Sequence, residues 1–459
     1  MKFSKILCMV IFVSMSISIF AACGTNGGTG KVSAGSSPAN STEAATNTSQ
    51  EKQAEPVKLT YFNTSAEVNT MFEDMFKAYN TLKPNVTIEL IPTGVGQGQQ
   101  EKLQSLYASG NAPTMANIDP ANVIEYQDKL VEFSVSADKW LDLAQPGVLD
   151  AGTFDGKLLG IPFTTQGYGL LYNKKVIEKA IGGTFDPSSI KTRNDLEDLF
   201  KKIAAAGISP AMFHGANWSL GQHYLGLVYA AQSRDVSGGL QFIENLKAGK
   251  VDLINDPVFN GYMDTFDLIA KYNLRKKDPL VADYNKDTQD FAQGKCATFF
   301  MGDWSWTVIG ALKERDNEFG VIPVPLSNNP EDFGNTQIPV TLPKLMTIDK
   351  SQSSAGQQAA AKEFLAWMMT DEKGQKFFTD TGFVMPYKNA KTENMNPMST
   401  SVSSYAESGA TINLSCFAYL SGDHWEKNGA SMQKYLVGKI DRKGLAKEVE
   451  AYWKSKAGK

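Results

Sequence analysis

The chain has 459 residues, enough for about three domain-sized units, and its hydrophobic fraction of 42% is sufficient to build real cores. The 45 lysines and arginines against 49 aspartates and glutamates give a net charge of -4, which excludes the basic surface that a nucleic-acid partner requires. The 3 histidines have no metal-ligand spacing, and 4 cysteines are too few for a disulfide-rich scaffold. We therefore expect no metal and no cofactor.

The N-terminus has the pattern of an export signal. Two lysines precede an apolar run over residues 6–20, which is too short to span a membrane and suits a signal-peptide core. The run leads into Ala21-Ala22-Cys23-Gly24, which resembles the lipobox of bacterial lipoproteins. This resemblance implies that residues 1–22 are removed and that Cys23 carries a lipid; an ordinary secretory cleavage site is the alternative.

The segment 23–56 is dominated by small and polar residues and has no aromatic side chain, so we predict a disordered tether to the membrane. Removal of the signal and lipidation of Cys23 leave Cys296 and Cys416. Their separation does not decide whether they pair, and we favour two buried thiols over a disulfide.

Strands and helices alternate after the tether. Strands are predicted over 58–62, 86–91 and 115–118, and helices from apolar spacings of three and four. The helical faces comprise Val68, Met71, Phe72, Met75, Phe76 and Tyr79, then Leu103, Leu106 and Tyr107, followed by a helix over 122–130. This alternation is typical of a parallel sheet with crossover helices.

The pattern of amphipathic helices continues later in the chain, without an internal sequence repeat. Thr192 is predicted to be the N-cap of a helix that ends at Gly207. Another amphipathic helix is predicted around Phe364. No low-complexity linker follows residue 56. We therefore predict two α/β lobes joined by ordered crossovers.

Common catalytic motifs are missing. The segment 217–221 lacks the first glycine of a GxSxG elbow, and the glycines of 94–98 lack the dinucleotide-binding spacing and indicate a flexible loop. Paired carboxylates of a carbohydrate-active enzyme stay possible, because their separation is invisible in sequence. A surface adhesin or structural lipoprotein is a second alternative.

Several short segments combine aromatic rings with amides or carboxylates. Sugar-binding sites use flat rings for the C–H face of a sugar and planar polar groups for its hydroxyls. The segments are 119–122, 166–168, 217–218, 303–306 and 423–425. Their composition favours a carbohydrate ligand.

Four ordered motifs carry a family likeness. Residues 155–162 with 171–174, then 291–304, 319–325, and 362–365 with Gly382 resemble segments of extracellular solute-binding proteins of carbohydrate ABC transporters, in particular maltodextrin-binding and multiple-sugar-binding members. The resemblance implies a two-lobed α/β fold of the periplasmic-binding-protein type II class with a ligand cleft between the lobes. It places 57–165 and about 326–380 in the N-terminal lobe, 166–325 and about 381–459 in the C-terminal lobe, and hinges near 164–169 and 321–325.

Similarity to maltodextrin-binding members also implies site residues. Trp304 corresponds to a position at which those proteins have a tryptophan stacked on a sugar ring. Gln166 corresponds to the position of an acidic residue in their cleft, and Asp119 to that of an aspartate that hydrogen-bonds sugar hydroxyls. Other candidates beside the expected cleft are Asn63, Tyr168, Trp218, His223, Asp303 and Trp425. The alternatives are a core role for Trp304, helix capping by Asp119, and plain packing for Tyr168 and His223.

The resemblance implies a monomeric, lipid-anchored receptor outside the cell membrane, without catalysis or nucleic-acid binding. It would deliver an oligosaccharide, which we expect to be a gluco- or cello-oligosaccharide, to permease subunits.

Overall fold

The computed structural model describes residues 55–94, 98–391 and 395–458. In these ranges the strands are β1 Val57–Asn63, β2 Val86–Pro92, β3 Met115–Ile118, β4 Thr153–Phe154, β5 Lys157–Leu158, β6 Ile161–Pro162, β7 Gln166–Asn173, β8 Thr298–Gly302, β9 Phe319–Ile322, β10 Ile338–Thr341, β11 Leu345–Ile348 and β12 Thr411–Asn413. The helices are α1 Asn69–Leu82, α2 Gln99–Ala108, α3 Pro120–Tyr126, α4 Lys174–Ile181, α5 Arg193–Ala205, α6 Leu225–Ala230, α7 Val236–Lys247, α8 Pro257–Lys271, α9 Tyr284–Ala292, α10 Trp306–Ala311, α11 Ala355–Thr370, α12 Glu372–Thr381, α13 Pro397–Ser408, α14 His424–Leu436 and α15 Arg442–Lys454.

The first lobe is built on a sheet of order β2-β1-β3-β11-β6, in which β1 pairs in parallel with β2 and β3. Helix α1 covers this sheet because its predicted apolar face is buried, with the Phe72 ring 4.7 Å from Tyr61 of β1. The prediction of alternating strands and helices with parallel pairing is therefore confirmed here.

The second lobe has a sheet of order β12-β10-β7-β8, with β9 also paired to β7. Every residue of β7 is buried, so this strand forms the centre of the lobe. The Thr192 side chain caps α5 by accepting a hydrogen bond from the Asp195 N–H, and the apolar residues Leu196, Leu199, Phe200 and Ile203 of that helix are buried. The mixed α/β, two-lobed fold class is confirmed.

The chain crosses between the sheets at 163–165, after β6, and again at 342–344, between β10 and β11. The second crossing expected near 321–325 is wrong, because β10 adds to the edge of β7 and keeps 326–341 in the second lobe. Residues 383–387 also differ from expectation: Phe383, Met385 and Tyr387 pack in the first-lobe core, and the second lobe resumes with α13.

Cys296 and Cys416 are free and buried, as predicted. The predicted signal peptide, Cys23 and nearly all of the tether lie outside the described residues. Within the described ranges, no helix is both long and apolar enough to cross a membrane.

The buried imidazole of His424 makes stability depend on pH. Burial lowers its pKa to about 3, so the unfolded chain, with an ordinary pKa near 6.5, takes up the proton first. The free energy of unfolding should therefore fall as pH drops below ~6.5, by about 1.4 kcal/mol per pH unit from this residue. Urea unfolding of the wild type and of His424→Gln between pH 7 and 5 should show a shallower loss in the variant; parallel curves would contradict this.

Candidate functional site

Four predicted site residues meet in one cluster of rings between the lobes. The ring centroid of His223 lies 4.9 Å from Tyr168, 5.1 Å from Trp304 and 5.4 Å from Trp218. Tyr168 is buried, whereas the other three rings are partly exposed. These four residues, which are far apart in the sequence, form one cluster of rings with accessible surface. We call this cluster the aromatic floor.

Trp304 occupies the junction of the two lobes. Its side chain packs against the buried clusters of the second lobe and also against that of the first. Gly302 makes this placement possible, because a Cβ there would lie 2.0 Å from the indole ring. Trp304 is partly exposed at this junction, and its part in ligand binding stays a prediction.

A π-helical turn at Ser219–Tyr224 brings Trp218 and His223 together. In an α-helix, residues five apart differ by about 140° around the axis, because each residue turns the chain by ~100°. A π-helix bonds i to i+5 and so aligns such residues on one face. The turn packs tightly on α14: a Cβ on Gly221 would lie 2.4 Å from the Gly429 nitrogen.

Asp303 and Gln166 provide polar groups at the floor. The Gly167 N–H donates to Asp303 Oδ1 at 3.3 Å, and burial raises the pKa of the Asp303 carboxyl to about 8. Near neutral pH this carboxyl is therefore mainly protonated and is able to donate a hydrogen bond. Gln166 is 9% exposed, and its carboxamide has no hydrogen-bond partner within the described ranges.

His223 enters the floor as a neutral group. Although part of the ring is exposed, the side chains packed around it desolvate the imidazole, and this desolvation, assisted by the positive charge of Lys344, lowers its pKa to about 3. At neutral pH the imidazole is therefore a hydrogen-bonding ring and not a cation.

Asn63 is fully buried and its amide is already occupied. The side chain donates to Ser65 O and Asn69 Oδ1 at 2.8 and 2.7 Å, and its oxygen accepts from Ser65 N and Asn117 Nδ2 at 3.0 and 2.9 Å. Since an amide makes about four such bonds, Asn63 has none left for a ligand. We assign it to organising the ends of β1 and β3.

Asp119 precedes α3 but does not cap it with its side chain. Its carboxylate instead accepts a hydrogen bond from Lys344 Nζ at 2.6 Å. Lys344 lies in the crossing before β11, 225 residues away, and sequence reasoning missed it because no local pattern marks so distant a partner.

An outer cavity of about 310 Å³ is lined in part by Asn217 and Gln222, which directly precede the floor residues Trp218 and His223 in the chain. The first lobe contributes Asp119 and residues of α2 and α3, and the second contributes Asn217, Gln222 and the segment around Trp425. The predicted residues Asp119 and Trp425 thus belong to this outer zone. Gln222 is an addition that only the fold reveals, whereas Asn217 belongs to the segment 217–218 already singled out in the sequence.

No three His, Cys, Asp or Glu side chains within 55–94, 98–391 and 395–458 are grouped so as to hold a metal ion. The polar groups of the two zones are mainly amides and carboxyls, together with the Tyr168 and Ser421 hydroxyls, indole N–H groups and one imidazole. Their arrangement suits recognition of a hydroxyl-rich organic ligand.

Two α/β lobes, joined by neighbouring crossings and holding an aromatic cleft between them, are the architecture of a two-lobed binding protein. The chain belongs to the family of bacterial extracellular solute-binding proteins, whose family model matches residues 74–410.

Individual relatives are distant. The chain is 23% identical over 76% of its length, and 76% of the relative's, to an uncharacterized ABC transporter extracellular-binding protein of Pyrococcus horikoshii. It is 28% identical over 48% of its length, and 51% of the relative's, to a probable sugar-binding periplasmic protein of Mesorhizobium japonicum. The solved structure of the solute-binding protein RafE with raffinose has the same fold, with a TM-score of 0.73 at 20% identity over 87% of this chain and 99% of that one.

Proposed function

We propose that the protein is the sugar-binding receptor of an ABC importer and delivers an oligosaccharide, unaltered, to the permease. The observation that carries the proposal is the position of Trp304, which packs against the cores of both lobes beside Tyr168 and His223. A sugar stacked on these second-lobe rings would lie at the junction of the two lobes, where contacts from the first lobe would favour the closed form.

Hydroxyl recognition is supported by a polar group without a protein partner. The Gln166 carboxamide, 9% exposed, has none within the described ranges. A buried polar group that stays unpaired costs about 1–3 kcal/mol, so a ligand that satisfies such groups is favoured.

The two zones also support a ligand longer than one sugar. Trp304 and His223 form the floor, whereas Trp425 lines the outer cavity beyond them. We propose a gluco- or cello-oligosaccharide of about two to five units, because separate aromatic zones suit successive rings.

The test is a sugar panel. The purified mature protein should show a saturable rise in melting temperature, and calorimetric binding, with at least one of raffinose, maltotriose, cellotetraose and xylotetraose. Prolonged incubation should return the sugar intact by chromatography. Indifference to every sugar would support an adhesin or structural role, and cleavage products would identify an enzyme.

We further propose that Cys23 anchors the protein outside the cell membrane. Lipidation of Cys23 would follow from the sequence Ala21-Ala22-Cys23-Gly24, and lipid anchoring would hold the receptor near its permease. Cys23→Ala should abolish incorporation of an alkyne-labelled fatty acid and move the protein from the membrane fraction to the medium, as seen by immunoblot. Retention with label intact would contradict the anchor.

A further inference from the structure

We propose that the outer cavity rejects anionic sugars, so that the ligand is an uncharged or amine-bearing oligosaccharide. This inference rests on the proposed sugar-binding function and adds the charge class of the ligand.

Carboxylates dominate the charge of the outer cavity. Glu101, Asp119 and Glu426 line it, and none of the described lining residues is a lysine, arginine or histidine. Asp119 is paired with Lys344, and Lys427 approaches Glu426 only to 3.8 Å at the exposed rim. Glu101 has no ion-pair partner in the described part of the chain. Residues 95–97, before the lining residue Gly98, are Val, Gly and Gln and carry no charge.

The floor supplies no free cation that would offset this charge. His223 is neutral at physiological pH, because burial lowers its pKa. Lys344 is held by Asp119, and its charge also acts on Glu67, whose pKa burial raises. Recognition of a sugar carboxylate normally uses arginine or lysine in a charge-assisted hydrogen bond, and the lining of this cavity has neither.

The other polar groups of the cavity suit neutral hydroxyls. Gln99, Gln100, Asn122, Asn217 and Gln222 line it together with the Trp425 ring. Side-chain amides both donate and accept, so they match hydroxyls and tolerate an amine. Charge, and not hydrogen-bonding capacity, is therefore what excludes a uronate.

A set of sugars of equal length but different charge tests the inference. The probes are cellotetraose and raffinose. Each is compared with two derivatives, in which the terminal C6 hydroxymethyl group is replaced by a carboxylate or by an aminomethyl group. Cellotetraose is also compared with its reducing-end aldonate. At low salt, calorimetry should show at least one carboxylate derivative of the bound sugar binding about tenfold or more weakly, and the amine binding no more weakly than the parent. Added salt should shrink this difference, because the Debye length falls from ~30 Å at 0.01 M to ~3 Å at 1 M.

A pair of charge variants locates the effect. Glu101→Gln with Glu426→Gln should reduce the ratio of neutral to carboxylate affinity at least threefold. Glu73→Gln with Glu407→Gln removes the same charge from exposed positions outside the cavity and should leave the ratio unchanged. Equal or tighter binding of every carboxylate derivative, or the same ratio in both double variants, would overturn the inference alone. No binding of any probe would overturn the sugar receptor as well.

Discussion

Replacement of Trp304 by alanine is expected to weaken oligosaccharide binding at least tenfold, or by about 1.4 kcal/mol, in a protein that still folds. The indole contacts the cores of both lobes and lies 5.1 Å from His223, so its removal deprives a sugar of the ring that both lobes share. Titration calorimetry with the best panel sugar measures the loss. Trp304→Phe should retain part of the affinity, since it keeps an aromatic face at the junction.

Trp140→Ala is the matched control. Trp140 is also a partly buried indole, but it packs on the first-lobe core near Tyr387 and away from the ring cluster. Both alanine variants should lower the free energy of unfolding, by less than the ~3–5 kcal/mol of a fully buried tryptophan. Only Trp304→Ala should lose affinity; unchanged affinity in a folded Trp304→Ala protein would remove Trp304 from the site.

Local patterns were sufficient to predict much of the first lobe. The apolar spacing of α1 places Phe72, Met75, Phe76 and Tyr79 on one buried face, and the short strand β3 matches its predicted bounds. Such features are set by neighbours within a few residues, so hydrophobic period and turn residues suffice to locate them. The same holds for the cap that Thr192 forms on α5.

Features set by distant pairing were not predictable. The strand β10 joins the second sheet through the pairs Val340 with Gly167 and Thr341 with Gln166, and nothing local distinguishes it from a strand of the first sheet. The late crossing follows from this pairing. A similar limit applies to Asn63: its strand position predicted a cleft residue, but Ser65 and Asn117 occupy its amide.

The candidate site was recognisable in composition but not in geometry. Tyr168, Trp218, His223 and Trp304 do converge, although no spacing in the sequence indicates that His223 lies at their centre. The π-helical turn explains why, since an α-helical reading of 218–224 would point Trp218 and His223 to different sides.

That turn leads to the second large effect, which we expect from Gly221→Ala. A Cβ at this position would lie 2.4 Å from the Gly429 nitrogen and 2.5 Å from the Trp425 carbonyl oxygen, both of them backbone atoms that cannot rotate away. The π-helical turn and α14 must therefore separate, at a cost of about 1–3 kcal/mol. The separation would change the position of His223, on the turn, relative to Trp425, on α14. Sugar affinity should therefore fall at least about tenfold.

Gly183→Ala gives the matched comparison, because a Cβ at Gly183 meets nothing within 4 Å and its backbone lies outside the left-handed region. Its stability should stay within about 0.5 kcal/mol of the wild type, with unchanged sugar affinity. Gly429→Ala alters the same contact from the side of α14, because its Cβ would lie 2.3 Å from the Asn217 backbone carbonyl oxygen. It should reproduce the loss of affinity expected for Gly221→Ala. If folded Gly221→Ala and Gly429→Ala proteins bound the sugar normally, the glycine contact would have no part in positioning the cleft, and the aromatic floor would have to be held by β7 and β8 alone.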